Sequence, residues 1–222
     1  MKTRKAKTPR IQAEAVVKAA LEILDAEGLE HVTLRRLAAK LGVQAPALYW
    51  YFKGKQDIID DMAQAILTTD KLNSITAPKD IGNWASWLAD LAHSVRDALI
   101  SHREGGRVVA GATFRAHTLA RTSVLTTQVL NEAGFDLLHA GMATATIFDY
   151  VWGFVIEEQA GTGPELEPMR SVVKEAISDK IGLENTDFLY HLMREGSKLT
   201  DTEKFDWGLQ VIITGLTSSL NR

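Results

Sequence analysis

Apolar residues recur along most of the chain at spacings of three and four, the period of one face of an α-helix. The stripe is clearest between Ile81 and Leu99, and another long stripe ends at Gly134. No segment of the sequence keeps the alternation of apolar and polar positions that a half-buried strand requires. The pattern therefore predicts an all-α fold. Helices are expected over about 9–28, 33–41, 46–51, 55–72, 81–99, 113–133, 137–159, 167–178 and 202–220.

Two short predicted helices separated by a tight turn lie between Thr33 and Tyr51. Thr33 is suited to cap the first helix, Gly42 to end it, and Pro46 to stand in the first turn of the second. Helices in this arrangement form a helix-turn-helix, whose second helix enters the major groove with its first residues against the base edges. The sequence therefore predicts a segment that binds double-stranded DNA.

Side chains at the start of the second helix are suited to reading bases. Gln44 can form two hydrogen bonds with adenine, and the methyl groups of Ala45 and Ala47 can touch a thymine methyl. The three consecutive aromatic residues Tyr49–Tyr51 cannot all face one small core, so we expect at least one to be exposed. Tyrosine hydroxyls and the Lys55 ammonium suit phosphate oxygens. Packing within the small domain is the alternative role for Tyr49.

Charge is distributed unevenly along the chain. Residues 1–60 carry eleven Lys and Arg against seven Asp and Glu, whereas the remainder carries fourteen against twenty-one. This asymmetry suggests that the N-terminal end meets a polyanion, with chance variation as the alternative. The 222 residues include no cysteine, no apolar run of membrane length and no secretory signal, so we expect a cytoplasmic protein that does not bind a membrane.

One predicted helix is apolar on most of its circumference. Between Gly141 and Ile156 the only charged residue is Asp149. A helix of this kind is buried on more than one side. Because the final helix, 202–220, is similarly rich in apolar residues, we expect two helices from each of two chains to form a four-helix bundle in a homodimer. A large monomeric core is the alternative.

The DNA-binding segment resembles the signature of the TetR family of bacterial regulators, without gaps over about forty-five residues. The later segments 99–111, 131–135, 155–159 and 205–216 also resemble the C-terminal domain of tetracycline repressors. The resemblance implies a transcriptional regulator that dimerises through its last two long helices. The matching N-terminal positions are Leu21, Thr33, Arg35, Leu37, Ala38, Leu41, Gly42, Val43, Leu48, Tyr49, Tyr51, Phe52 and Lys55.

The resemblance also places the family's DNA contacts on ten residues of this chain. Leu34, Ala45 and Ala47 stand where tetracycline repressors have polar side chains that read bases. We therefore expect the same docking geometry on a different operator sequence. The ten positions are Thr33, Arg35, Gln44, Ala45, Pro46, Ala47, Tyr49, Trp50, Tyr51 and Lys55.

On the ligand side the chain departs from tetracycline repressors, which bind a drug as its magnesium chelate. Val109 stands where they have a metal-binding histidine, and Leu91 and Val95 replace polar contacts to the drug. Glu157 matches an acidic residue near the metal, but one carboxylate without the histidine makes a poor magnesium site. We therefore expect no metal or other cofactor and a mostly apolar effector. Its expected binding residues are Leu91, Val95, Val109, Phe114, Trp152 and Glu157.

The expected organisation has three parts. A three-helix helix-turn-helix domain spans 1–56, with the motif at about 33–52, and a connecting helix and loop span 57–77. A larger helical domain for ligand binding and dimerisation spans 78–222. The function expected is a repressor that a small-molecule effector releases from a palindromic operator. The helix over 55–72 would act as a lever between the domains, and the resemblance implies that His102, Arg103 and Glu104 link to it.

Two other classes of function are weaker interpretations. An all-α enzyme would need a nucleophile with a base, a phosphate-binding loop or a metal cluster, and the sequence shows no motif for any of them. An architectural DNA-binding protein would need a basic surface throughout, whereas residues 61–222 are net acidic.

Overall fold

The computed structural model describes residues 12–113, 117–160, 191, 195–196 and 198–220. Within those residues there are helices and no strand, so the predicted all-α fold is confirmed. The predicted helix over 167–178 and the basic tail before Gln12 lie outside the described residues. The helices are α1 (Ala13–Glu27), α2 (Leu34–Leu41), α3 (Ala45–Leu48), α4 (Lys55–Leu67), α5 (Asp70–Asn73), α6 (Trp84–Ile100), α7 (Gly105–Ala110), α8 (His117–Glu132), α9 (Leu137–Ala160) and α10 (Asp201–Leu220).

The chain divides into two compact units. The first is drawn from Met1–Ser74 and Asp97–Arg121, and the second from Ile75–Arg96 and Thr122–Arg222. The N-terminal helices therefore share a unit with α7, which follows them by about forty residues. None of the described helices combines the length and the apolar character that crossing a lipid bilayer requires.

The predicted continuous helix over 55–72 is wrong, because the helix breaks at two threonines. Thr68 leaves helical geometry with ψ 70°, and its hydroxyl donates to the Gln64 carbonyl oxygen at 2.6 Å. The Thr69 hydroxyl accepts the Leu72 N–H at 3.2 Å and caps α5. Threonine hydroxyls compete in this way with the hydrogen bonds of a continuing helix. The lever expected to run from one domain to the other thus ends at Leu67, inside the first unit.

The core of the first unit forms where α1, α2 and α4 pack. Val16, Ala20 and Leu24 repeat on one face of α1 and are completely buried. Ile58 and Met62 are completely buried on the facing side of α4. Apolar residues at helical spacing therefore define this core, as the sequence pattern predicts.

A buried ion pair stabilises the second unit. The Arg96 guanidinium of α6 donates to both carboxylate oxygens of Glu158 on α9, at 3.0 and 2.5 Å, and to the Thr202 hydroxyl at 3.4 Å. The same guanidinium lies 5.2 Å from the ring centroid of Phe205 on α10. One arginine therefore joins three helices, and its side chain is only 6% exposed.

Candidate nucleic-acid interface and regulatory residues

The turn between α2 and α3 is tight because glycine closes the first of these helices. The Thr33 hydroxyl accepts the Arg36 N–H at 3.2 Å and caps α2, as predicted. At the other end Gly42 has φ +66°, a left-handed conformation that favours glycine. Three residues later α3 begins at Ala45, with Pro46 in its first turn. The geometry is that of a helix-turn-helix.

The two helices bury one face and expose the other. Leu37 and Leu48 are completely buried and Phe52 is 2% exposed, so these three side chains form the inner face. The short helix α3 ends at Leu48 rather than at the predicted residue 51, and the aromatic residues follow it in a turn. Phe52 is held there by its N–H, which donates to the Leu48 carbonyl at 2.9 Å.

Aromatic side chains dominate the outer surface beyond α3. Trp50 is 89% exposed, Tyr49 58% and Tyr51 44%, so the prediction that at least one of them faces outward is confirmed. Large apolar rings grouped on a surface mark a binding site more often than an ordinary solvated face. The other residues predicted to contact DNA are exposed at Thr33, Arg35, Gln44, Pro46 and Lys55 and half-buried at Ala45 and Ala47.

The three cations of α2 are not equivalent. Arg36 pairs with Glu27 and Lys40 with Glu22, both on α1. These pairs lower the pKa of the two glutamates, in each case mainly through the hydrogen bond from the cation. Arg35 makes no such pair within the described part of the chain. Its guanidinium is the one on α2 that is available for a phosphate.

Lys55 begins α4 beside this surface. Its ammonium donates one hydrogen bond, of 3.2 Å, to the Leu29 carbonyl oxygen in the turn after α1. An ammonium has three donors, so it can still bind a phosphate oxygen from this fixed position.

Polar side chains on one face of α4 bind the segment that follows α7. The buried Asp60 carboxylate accepts the Thr113 N–H at 2.8 Å and the Thr113 hydroxyl at 2.5 Å. One turn earlier, the Gln56 side-chain amide donates to the Gly111 carbonyl oxygen at 2.9 Å. One turn later, the Gln64 amide donates to the Thr118 hydroxyl at 2.8 Å.

This network was missed in the sequence, although its spacing was visible there. Gln56, Asp60 and Gln64 recur every four residues and therefore share one helix face. The Thr113 hydroxyl donates to Asp60 and is therefore committed to this network.

The expected link between residues 102–104 and the fourth helix stays a prediction, and the segment also binds the end of α1. The His102 ring and the Arg103 N–H bind the Asp25 carboxylate near the end of α1, at 2.9 and 3.0 Å. The Glu104 carboxylate accepts the Leu29 N–H at 3.1 Å. It is the following helix, α7, that packs on α4. The segment is therefore fastened to the end of α1, and α7 is thereby positioned against α4.

The candidate ligand residues fall in different parts of the molecule. Leu91 and Val95 of α6 are buried in the second unit, whereas Val109 is buried in the first. Trp152 of α9 stacks on Phe148 with ring centroids 5.8 Å apart. Glu157 is exposed, and Phe114 lies outside the described residues.

Trp152 has an unusual indole nitrogen. Its Nε1 atom is buried, and no acceptor for its N–H is found among the described residues. A buried donor without an acceptor costs free energy, on the order of 1–3 kcal/mol. Across all the residues that the structure describes, no three or more histidine or acidic side chains are grouped so as to bind a metal ion.

The last two helices each have a second apolar face. Phe205, Leu209 and Ile213 of α10 are buried, whereas Trp207 is 74% exposed and Val211 53% exposed. On α9, Leu137, Leu138 and Met142 are exposed to a similar degree. A Tyr150 hydroxyl that donates to the Phe205 carbonyl at 2.7 Å fastens the inner faces together. The outer faces remain apolar without a partner inside the described chain.

Comparison with known proteins gives matches for the helix-turn-helix and for the part of the chain that contains α9 and α10. The family model for bacterial regulatory proteins of the tetR family matches residues 16–62, which contain the helix-turn-helix. The model for the tetracyclin repressor-like C-terminal domain matches residues 77–220, which contain α9 and α10. Together the two models cover most of the chain.

Individual relatives are similar over nearly the full length. The class A tetracycline repressor of Escherichia coli is 34% identical over 207 residues, 93% of this chain and 91% of the relative. A structure from Streptomyces coelicolor A3(2), described as a possible TetR family transcriptional regulator, has a TM-score of 0.79 at 31% identity and covers 94% of this chain and 100% of its own. A TetR variant from Acinetobacter baumannii AYE in complex with minocycline has a TM-score of 0.69 at 28% identity, over 95% and 98%.

These matches settle the class of protein. Regulators of this family bind DNA as dimers and are not enzymes, and the exposed aromatic residues beyond α3 and the apolar outer faces of α9 and α10 agree with that class. The chain belongs to the TetR family of bacterial transcriptional regulators.

Proposed function

We propose that this protein is a cytoplasmic repressor whose homodimer binds a palindromic operator and is released by a largely apolar effector that binds without a metal ion. The observation that carries the DNA-binding part is the exposed surface of Tyr49–Tyr51 beside Gln44 and the unpaired Arg35. In a helix-turn-helix dimer the two such surfaces lie about 34–36 Å apart, one turn of DNA.

Arg35 gives the clearest test of the proposed docking. Arg35→Ala should weaken binding to every DNA sequence. The plot of log K against log salt should become less steep by about two, since a dimer would lose two phosphate contacts. Arg36→Ala is the matched control, because Arg36 is held by Glu27. Fluorescence anisotropy with labelled DNA between 50 and 300 mM salt measures the affinity and the salt slope of each variant. Equal salt slopes for the two variants would contradict the assignment of Arg35 to a phosphate.

The effector part of the proposal is supported by what the candidate residues can bind. Leu91 and Val95 are buried aliphatic side chains, which offer dispersion contacts and no hydrogen bond. The Trp152 N–H is a buried donor that a ligand carbonyl or hydroxyl would satisfy. Ligand pockets commonly combine an apolar lining with a few such polar groups. This set favours an apolar molecule with one acceptor.

Tetracycline itself is expected to bind poorly. The valine at position 109 has no atom that can coordinate magnesium, and the chelate would meet Leu91 and Val95 without hydrogen bonds. Calorimetric titration with tetracycline in magnesium, repeated with EDTA, should therefore show no submicromolar binding. The relative solved with minocycline provides the positive control. Tight, EDTA-sensitive binding by this chain would overturn the metal-independent site.

Release from DNA tests the repressor mechanism as a whole. A thermal-shift screen of antibiotics, dyes and metabolites identifies ligands, and each is then titrated into the dimer on its operator. We expect an effector to lower operator affinity about 5–150-fold, the range of an allosteric coupling of 1–3 kcal/mol. Trp152→Phe keeps an aromatic ring and removes the N–H with the smaller ring of the indole, so it should weaken effector binding without changing operator affinity. Ligands that stabilise the dimer but never release the operator would contradict the proposal.

A further inference from the structure

A groove with a volume of about 570 Å³ lies between α1 and α4 in the first unit. Pockets for small molecules commonly have volumes of 300–1,000 Å³. All the residues that line it belong to the first unit, so it is separate from the candidate effector residues on α6 and α9.

The floor of the groove is aliphatic. Ala13, Val17 and Leu21 recur every four residues on α1, and Ala65 lies opposite on α4. These four side chains are half-buried, although Val16 and Ala20 beside them are completely buried in the core. The stripe is therefore apolar surface that the fold leaves partly open to solvent.

The rim of the groove is acidic. Glu22 is paired with Lys40, and Asp25 binds the His102 ring and the Arg103 N–H. Asp61, in the middle of α4, makes no hydrogen bond or ion pair with any described residue.

The surroundings of Asp61 disfavour its negative charge. Asp61 is exposed at the rim, where partial desolvation raises the pKa of its carboxyl and the neighbouring carboxylates of Asp57 and Asp60 raise the pKa further. Lys18 also lines the groove, but the charge of its ammonium helps to lower the pKa of Glu22. A cation bound in the groove would stabilise the ionised form of Asp61.

We propose that this groove binds a lipophilic organic cation, with its apolar body on Val17, Leu21 and Ala65 and its positive charge beside Asp61. The aliphatic floor accounts for the apolar body, and the unpaired carboxylate accounts for the charge. Because the groove lies along the junction of α1 and α4 within the DNA-binding unit, its occupant contacts the helices that support the helix-turn-helix.

Tetraphenylphosphonium is a suitable probe, since its charge is permanent and its surface is apolar. Calorimetric titration of the full-length dimer should show one ion bound per chain, and neutral triphenylphosphine oxide should bind at least about tenfold more weakly. Asp61→Asn should weaken the phosphonium about two- to fivefold and leave the phosphine oxide unchanged. Glu30→Gln removes a charge from the same unit outside the groove, where the side chain is 81% exposed, and should change neither.

A second variant tests the place of binding. Ala65→Trp fills the groove from a half-buried position and should abolish binding of the phosphonium while the circular dichroism spectrum stays unchanged. Unaltered affinity in Ala65→Trp, or equal affinity of the wild type for the two probes, would overturn the proposal. Deletion of residues 1–10, which carry five cations and no acid, should leave the affinity within about twofold. A rise of more than tenfold would mean that this tail is the occupant, and would overturn it as well.

Discussion

Trp207→Asp is expected to convert the dimer into monomers and to weaken operator binding by about a hundredfold or more. Trp207 is 74% exposed on the outer face of α10, which we propose as part of the dimer interface. A twofold interface contains each residue twice, so one substitution places two carboxylates in the apolar contact. A monomer holds only one recognition helix and loses the second half-site.

The experiment compares two variants that introduce the same kind of charge. Val124 on α8 is also apolar and 58% exposed, and Val124→Asp should leave the dimer intact. Sedimentation equilibrium gives the mass of each protein, and anisotropy with operator DNA gives its affinity. A Trp207→Asp protein that remained dimeric would move the interface away from this face of α10.

Arg96→Met is expected to destabilise the folded protein by about 3–5 kcal/mol, since it leaves the Glu158 carboxylate buried without its partner. The two side chains are 6% and 14% exposed, so solvent screens their interaction little. The loss would separate α6 from both α9 and α10, because the same guanidinium also contacts Thr202 and Phe205.

The double variant Arg96→Met with Glu158→Leu is the control. Replacing both charges with apolar groups removes the buried unpaired carboxylate, and most of the stability should return. Urea unfolding at fixed protein concentration measures all three proteins, since dimerisation makes stability depend on concentration. An Arg96→Met variant as stable as the wild type would show that the buried pair does not support this unit.

The sequence predicted those features that depend on local pattern. The cap at Thr33 and the stop at Gly42 are determined by neighbouring residues, so the helix-turn-helix was recognisable. The predicted helix over 137–159 matches α9 closely because the segment is apolar on most of its circumference and Asp136 accepts the N–H groups of Leu138 and His139 at its start.

Features that depend on distant partners were not predictable in the same way. The pairing of Arg96 with Glu158 joins residues 62 positions apart, and neither residue stands out in its own helix. The Asp60 network likewise needs Thr113, 53 positions later. The break at Thr68 was missed although its cause is local, because threonine lowers helix propensity only slightly and the two hydroxyl hydrogen bonds around the break cannot be read from the sequence.

We propose that the coupling between ligand and DNA takes a different form from the lever that the sequence suggested. Helix α4 ends at Leu67 and is joined within the first unit to α7 by packing and to Thr113 by the bonds of Asp60. An effector that shifts the segment after α7 would move α4. Lys55 is the first residue of α4 and directly follows the helix-turn-helix, so both would move with it. Both ends of this connection lie in the first unit.

The most direct test of the account is selection of DNA from a random pool by the purified dimer, followed by footprinting of the selected site. The account predicts one palindrome, with half-sites centred about 10 base pairs apart and two chains bound per site. The same selection with Gln44→Ala should lose preference at one base pair in each half-site, at a cost of about 1–3 kcal/mol for each lost base contact. Diffuse protection without a palindrome, or a preference that Gln44→Ala leaves unchanged, would contradict the account.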